Sequence, residues 1–264
     1  MNHELLKGKR GIIFGALNEL SLAWAVAEQC YQEGAQIVLT NTPLATRLGK
    51  VTTLAKKLNA PYIEADATSV EDLKKLFSES QKQLGGKIDF VLHAVAMSMN
   101  IRRGNDYPHL NYSYYNKTLD ISALSFHKML QVAYETDAIA EYGSVVALTY
   151  IAAERAIAYY NDMADAKALL QSITRNFGLA YGQKRHVRIN TVSQSPTPTK
   201  AGGSIEFFDR FYEISNRTAP LGNASQQDCA DFCVMLFSDY TRKVTMQNLY
   251  HDGGFSTTGV QMPE

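Results

Sequence analysis

The chain of 264 residues has three cysteines, one tryptophan, no net charge and no apolar run long enough to cross a bilayer. Each scarcity removes a class of protein. An odd count of cysteines without a paired framework excludes a disulfide scaffold and fits a reducing compartment. Cys229 and Cys233 fall four apart in a helical pattern, but no histidine or second cysteine pair accompanies them. They read as small buried core residues, and no metal site is expected. The 26 basic and 26 acidic side chains cancel, and no run of Lys and Arg tracks a phosphate backbone, so a nucleic-acid partner is not expected. Residues Met1 to Arg10 meet a strand-like stretch at once, without the apolar segment of a secretory signal or membrane span. A cytoplasmic protein is the expectation. The G-x-G-x-x-G fingerprint of many dinucleotide sites is also missing.

What the chain does have is an ordered alternation. Branched, apolar runs occur at 11–14, 36–40, 62–64, 89–94, 144–149, 187–191 and 247–250. Most are separated by stretches with apolar residues at three-and-four spacing, such as 22–31, 73–84 and 168–180. A β-α-β-α order of about seven strands implies a doubly wound parallel sheet, Rossmann-type α/β, with helices on both faces. No linker, low-complexity tract or internal repeat divides it, so 1–264 reads as one domain. Between about 108 and 140 the pattern Leu119, Ile121, Leu124, Phe126, Leu130, Val132 predicts a long helix that packs on the sheet or on a second subunit. The strand-free stretch 195–224 carries Ile205, Phe207, Phe208, Phe211 and Tyr212, the composition of a helical flap over a pocket.

Chemistry is carried first by Tyr160 and Lys167. On a helix, seven residues make nearly two turns, so a phenol and an ammonium would share a face about 10 Å apart along the axis. A tyrosine beside a fixed positive charge gives up its proton more readily. The pair by itself is also what an exposed amphipathic helix carries by accident, and that alternative stays open at this point. Gly15, leaving the first strand, allows close approach of the backbone to a pyrophosphate, while Ser21 either caps the next helix or touches phosphate. Asp66, after the third strand, either accepts from an adenine amino group or caps the following helix. The second strand ends Thr40-Asn41-Thr42, with neither an acid for a ribose 2′-hydroxyl nor an adjacent Arg for a 2′-phosphate. His93 reads as a satisfied core histidine rather than a proton relay.

With these pieces in order, the chain resembles the short-chain dehydrogenase/reductase superfamily and, within it, the bacterial enoyl-acyl-carrier-protein reductases. The resemblance rests on Gly15-x5-Ser21-x-Ala23, the run Thr149-Tyr150-Ile151-Ala152-Ala153-Glu154-Arg155-Ala156-Ile157, Tyr160 with Lys167, Ile121-Ser122-x-x-Ser125-Phe126, Arg188-Ile189-Asn190 and His251-Asp252-Gly253-Gly254-Phe255. It extends from about Leu5 to Ser256. Carbonyl-reducing relatives keep a serine thirteen residues before the tyrosine, where this chain has Ala147. Losing that hydroxyl suits conjugate reduction, in which charge develops on a thioester oxygen.

The resemblance implies hydride transfer to the β-carbon of a trans-2-enoyl thioester on acyl-carrier protein or coenzyme A, with NADH, or alternatively NADPH, as cofactor. It implies catalytic roles for Tyr150, Tyr160 and Lys167, with Ser98, Tyr150 and Tyr160 meeting substrate. Cofactor contacts would come from Gly15, Ser21, Leu22, Thr42, Asp66, Ala67, Val95 and Lys167, and from Thr197, Pro198, Thr199, Lys200 and Ala201. A homotetramer is implied as well. Family glycines are filled by Ala25, Ala96, Ala164, Asp165, Ser195 and Met246, which keeps a second reading open, a non-catalytic or weakly active nucleotide-binding member; a reductase of another small carbonyl substrate is a third. Asp165, two residues from Lys167, should point away from it, toward a subunit interface with Asp162.

Overall fold

The computed structural model describes residues 3–199 and 202–259. Its strands are β1 (Arg10–Phe14), β2 (Gln36–Asn41), β3 (Tyr62–Glu64), β4 (Ile88–His93), β5 (Ile139–Thr149), β6 (Arg188–Gln194) and β7 (Asn248–His251). All neighbours pair in parallel, in the order β3-β2-β1-β4-β5-β6-β7. Central strands are buried on both sides, which is why their sequences are continuous apolar runs rather than alternating ones.

The helices are α1 (Leu22–Gln32), α2 (Pro43–Leu48), α3 (Val51–Lys57), α4 (Val70–Leu84), α5 (Met99–Arg102), α6 (Tyr112–Leu119), α7 (Ser125–Glu135), α8 (Asp162–Arg185), α9 (Phe208–Thr218) and α10 (Gln226–Phe237). Starts are encoded locally. Ser69 caps α4 through the Asp72 amide at 3.2 Å, Thr42 caps α2 ahead of Pro43, and Ser225 with Asp228 closes a capping box on α10. One face of the sheet packs Ile12, Val91, Val145 and Ile189 against α4, α7 and α8. The other packs Ile13, Leu39, Leu92 and Val192 against α1 and α10.

All seven expected strands are present, with ends displaced by a few residues; β5 begins at Ile139, five residues before its branched run. The long helix expected over 108–140 is α6 and α7, joined by a π-helical turn at Asp120–Leu124. That turn places Ser122, fully buried, where its hydroxyl accepts from the Met97 amide at 3.0 Å and donates to the Met97 carbonyl at 3.2 Å. It thereby pins the loop after β4. Strand order reverses between β1 and β4, so the crevice for a ligand opens at Phe14-Gly15 and His93-Val95.

Candidate active site

Gly15 has φ of +93°, and a β-carbon there would lie 2.1 Å from the Ala94 carbonyl oxygen. Glycine is therefore required by backbone conformation and by the close approach of the residue after β1 to the Ala94 carbonyl after β4, before any ligand is considered. Gly15→Ala is expected to cost about 2 kcal/mol or more of unfolding free energy, read from denaturant midpoints. Beside Gly15 a cavity of about 180 Å³ is lined by Thr40, Thr42, Asp66, Ala67, Val95, Lys117 and Ile121, among others. Five positions picked from the sequence thus meet in one pocket: Gly15, Thr42, Asp66, Ala67 and Val95.

Asp66 does not cap α4, a task Ser69 performs. Its Oδ1 instead accepts from the Thr68 amide and hydroxyl, both at 2.8 Å. Ser21 stands at the N-cap of α1 but caps nothing with its side chain. Its Oγ accepts from the amides of Leu17 and Asn18 at 3.1 Å, shaping the turn from β1 into α1; neither Ser21 nor Leu22 lines the cavity beside Gly15.

Tyr160 does not lie on a helix, because α8 begins at Asp162. The face-sharing argument from heptad spacing fails for that reason. Tyr160 stands between Tyr159 (φ +64°) and Asn161 (φ +46°, ψ −134°), two left-handed residues that turn its ring onto Tyr150, with centroids 4.9 Å apart. Lys167 rises from the second turn of α8, and its Nζ donates to the Leu148 carbonyl at 2.7 Å. Both groups therefore converge on the carboxyl end of β5 by different routes.

Burial holds the Tyr160 phenol above its ordinary pKa and brings Lys167 down to about 8. This reverses the expectation of an acidified tyrosine: burial alone sets the direction of the shift, and it favours the protonated phenol. His93, fully buried with Nε2 2.9 Å from Ser125 Oγ, is depressed to about 3 by burial and then by the charge of Lys167. It is a neutral core histidine. Asp165 turns away from Lys167, as expected, but it lines an open groove of about 810 Å³ and accepts from the Tyr107 hydroxyl at 3.1 Å.

Among the buried polar atoms without a partner within the protein, Thr40 Oγ1, Thr149 Oγ1, Tyr150 Oη, Ser193 Oγ and Gln194 Nε2 lie at or beside the carboxyl ends of β2, β5 and β6, where a dinucleotide crosses a sheet of this kind, while others, such as Ser80 Oγ on α4, lie elsewhere. Unpaired buried groups are costly, and their clustering at this edge fits a polar ligand with many donors and acceptors. Over Tyr150, Phe211 of α9 sits edge-on with centroids 6.3 Å apart and is itself met by Phe255 at 6.1 Å. Phe207 covers Tyr159 at 5.1 Å.

The family model described as Enoyl-(Acyl carrier protein) reductase matches residues 15–256. The chain belongs to the enoyl-acyl-carrier-protein reductase family. It is 34% identical to the enoyl-[acyl-carrier-protein] reductase [NADH] FabI of Rickettsia bellii, covering 98% of each chain. It is 33% identical to enoyl-[acyl-carrier-protein] reductase [NADH] 1 of Rhizobium meliloti, over 97% of this chain and 93% of that one. Among solved structures, the FabI-NADH complex from Alistipes finegoldii is 58% identical with a TM-score of 0.97, covering 98% of this chain and 91% of that one.

The remaining family positions in this reductase fall as follows. Ser98 caps α5 by accepting from the Ile101 amide at 3.0 Å, and its hydroxyl donates to Asp162 Oδ1 at 2.6 Å, so it faces inward. Thr197 is buried, with Oγ1 on the Ser195 carbonyl at 3.0 Å, Pro198 is exposed, and Thr199 Oγ1 accepts from the Gly202 amide at 2.9 Å. Lys200 and Ala201 lie outside the described residues. Among the filled glycines, Ala96 has no positive φ and so no strain, whereas Met246 sits at φ +63° with its side chain over Gly178. Ser195 uses its hydroxyl to accept from the Ala224 amide at 2.9 Å. Sequence reasoning gave Asn161 no role and set Asp162 at an interface with Asp165, whereas Asp162 is fully buried. An Asn beside the tyrosine, a residue type tolerant of left-handed backbone, was the available signal.

Proposed function

We propose that Tyr160, Tyr150 and Lys167 form the catalytic set of an NADH-dependent enoyl-acyl-carrier-protein reductase. The observation that carries this reading is the convergence of Tyr160, against Tyr150, and Lys167, on Leu148, at one strand end beneath Phe211. When bound, NADH supplies the hydride that reaches the β-carbon of a trans-2-enoyl thioester. Tyr160, kept protonated by burial, donates a hydrogen bond to the thioester oxygen as negative charge develops there. Tyr150, only 9% exposed and with an unpartnered hydroxyl, orients the same thioester. Lys167 holds the nicotinamide ribose and keeps positive potential at the strand end. Ala147, fully buried, leaves no hydroxyl where ketone reduction would need one.

In this reading Gly15, Ser21 and Leu22 receive the pyrophosphate, Thr42 the adenosine ribose, and Asp66, Ala67 and Val95 the adenine side. Thr197 to Ala201 pass along the nicotinamide, and Ser98 supports the substrate side of the loop after β4. The stretch 195–224 acts as the acyl cover of a single Rossmann unit, with acyl-carrier protein as the carrier. None of the described helices is long and apolar enough to cross a membrane. A cytoplasmic homotetramer is the assembly this reading carries with it.

The test is absorbance loss of NADH with a crotonyl thioester and, separately, with a 3-ketoacyl thioester. Turnover with the first and none with the second is expected; the reverse contradicts the reading. Tyr150→Phe should raise KM for the thioester roughly tenfold. Because it deletes an unpaired buried hydroxyl, it should leave the melting temperature unchanged or higher.

A further inference from the structure

Resting on that reading, we propose that Asp162 is a positioning residue that holds Tyr160 in place by tethering its segment to the loop after β4 and to α6. The two residues flanking Tyr160 are left-handed, at φ +64° and +46°. Non-glycine residues persist in such conformations only where the surroundings over-determine them. Asp162 follows directly, fully buried at the first position of α8, where the helix dipole favours a carboxylate.

Its two oxygens accept three hydrogen bonds from side chains elsewhere in the chain. Oδ1 accepts from Ser98 Oγ at 2.6 Å, and Oδ2 accepts from Asn100 Nδ2 at 2.7 Å and from Thr118 Oγ1 at 2.8 Å, a hydroxyl that also lies 3.0 Å from the Tyr114 carbonyl oxygen. All three donors are themselves at most 5% exposed. Asn100 extends the tether, because its Oδ1 accepts from the Asn111 amide at 3.0 Å and from Asn105 Nδ2 at 2.8 Å. Asn161 then closes the loop by donating to the Asn105 carbonyl. Both residues after Tyr160 are thus tied to the segment 98–111, which continues from the loop beside the crevice.

A buried carboxylate is a poor device for stability, since an apolar side chain of similar size often does as well. Three charge-assisted hydrogen bonds at short distance are instead a device for fixing position. The action is geometric. Burial alone accounts for the shift at Tyr160, with no part from the Asp162 charge.

The experiment compares D162A, D162N and T118V with the parent chain. It measures kcat on a crotonyl thioester at saturating NADH, NADH affinity by calorimetric titration, and amide hydrogen exchange over 159–163. D162A should lower kcat about thirtyfold and speed exchange, with NADH affinity held within about twofold. D162N should stay within about threefold of the parent, because its carbonyl oxygen keeps Asn100 and Thr118 while Ser98 Oγ turns to accept from the new amide. T118V removes one donor from outside the Tyr160 segment and serves if D162A does not fold; it should lower kcat about fivefold at unchanged NADH affinity. Unchanged kcat in D162A or T118V, NADH affinity falling in step with kcat, or D162N as slow as D162A overturns the proposal. A parent chain that leaves the enoyl thioester untouched overturns the functional reading instead.

Discussion

Tyr160→Phe is expected to lower kcat on an enoyl thioester by about a hundredfold while NADH affinity and melting temperature stay close to those of the parent. The magnitude is that of removing one hydrogen-bond donor from a developing oxyanion in a desolvated site. The substitution keeps the ring, and therefore its contact with Tyr150 at 4.9 Å, so folding has little reason to change. Burial raises the phenol's pKa, which gives the prediction a pH signature as well. No ionisation of Tyr160 should shape the rate between pH 6 and 9. Steady-state kinetics with calorimetric titration of NADH checks both parts; unchanged kcat would remove Tyr160 from the oxyanion role.

The second large effect is expected at Lys167. Lys167 is 5% exposed and its pKa is brought down from 10.5 to about 8 by desolvation alone. In the free enzyme the charge is lost as pH rises through about 8, so kcat/KM for NADH should fall above that value. Lys167→Met should lower kcat/KM by at least a hundredfold, because it removes both the ribose donor and the local charge.

Stability should move the other way. Between pH 8 and 10.5 the unfolded chain binds the proton that the folded chain has lost, so the parent gains stability as pH rises through that window. Below it, keeping the folded lysine charged costs up to on the order of 3 kcal/mol, partly offset by its bond to Leu148. Lys167→Met is therefore expected to unfold at or above the parent's temperature at pH 7, a trade of stability for function. A variant that loses both binding and stability would contradict the assignment of burial as the cause.

Much of this architecture is readable from patterning. A parallel strand buried on both faces must be continuously apolar, and the seven runs are visible for that reason, while β5 extends back to Ile139 through Glu141 and Gly143, where patterning gives no cue. The cofactor pocket is readable because strand ends follow once strands are found: Gly15, Thr42, Asp66, Ala67 and Val95 are each one or a few residues past one. Tertiary detail is not. Spacing put Tyr160 on a helix, but the chain enters α8 through two left-handed residues, and no periodicity signals a backbone reversal. Spacing likewise could not show that burial, rather than Lys167, dominates the phenol. Asp162 looked like half of an interface pair because its partners, Ser98, Asn100 and Thr118, are 44 to 64 residues away.

The measurement closest to the central claim is the destination of the hydride. With NADH deuterated at the transferable position and a crotonyl thioester, the parent chain should place deuterium on the β-carbon of the saturated product, as read by NMR. Deuterium at the carbonyl carbon, or none transferred while NADH remains bound, would contradict the account.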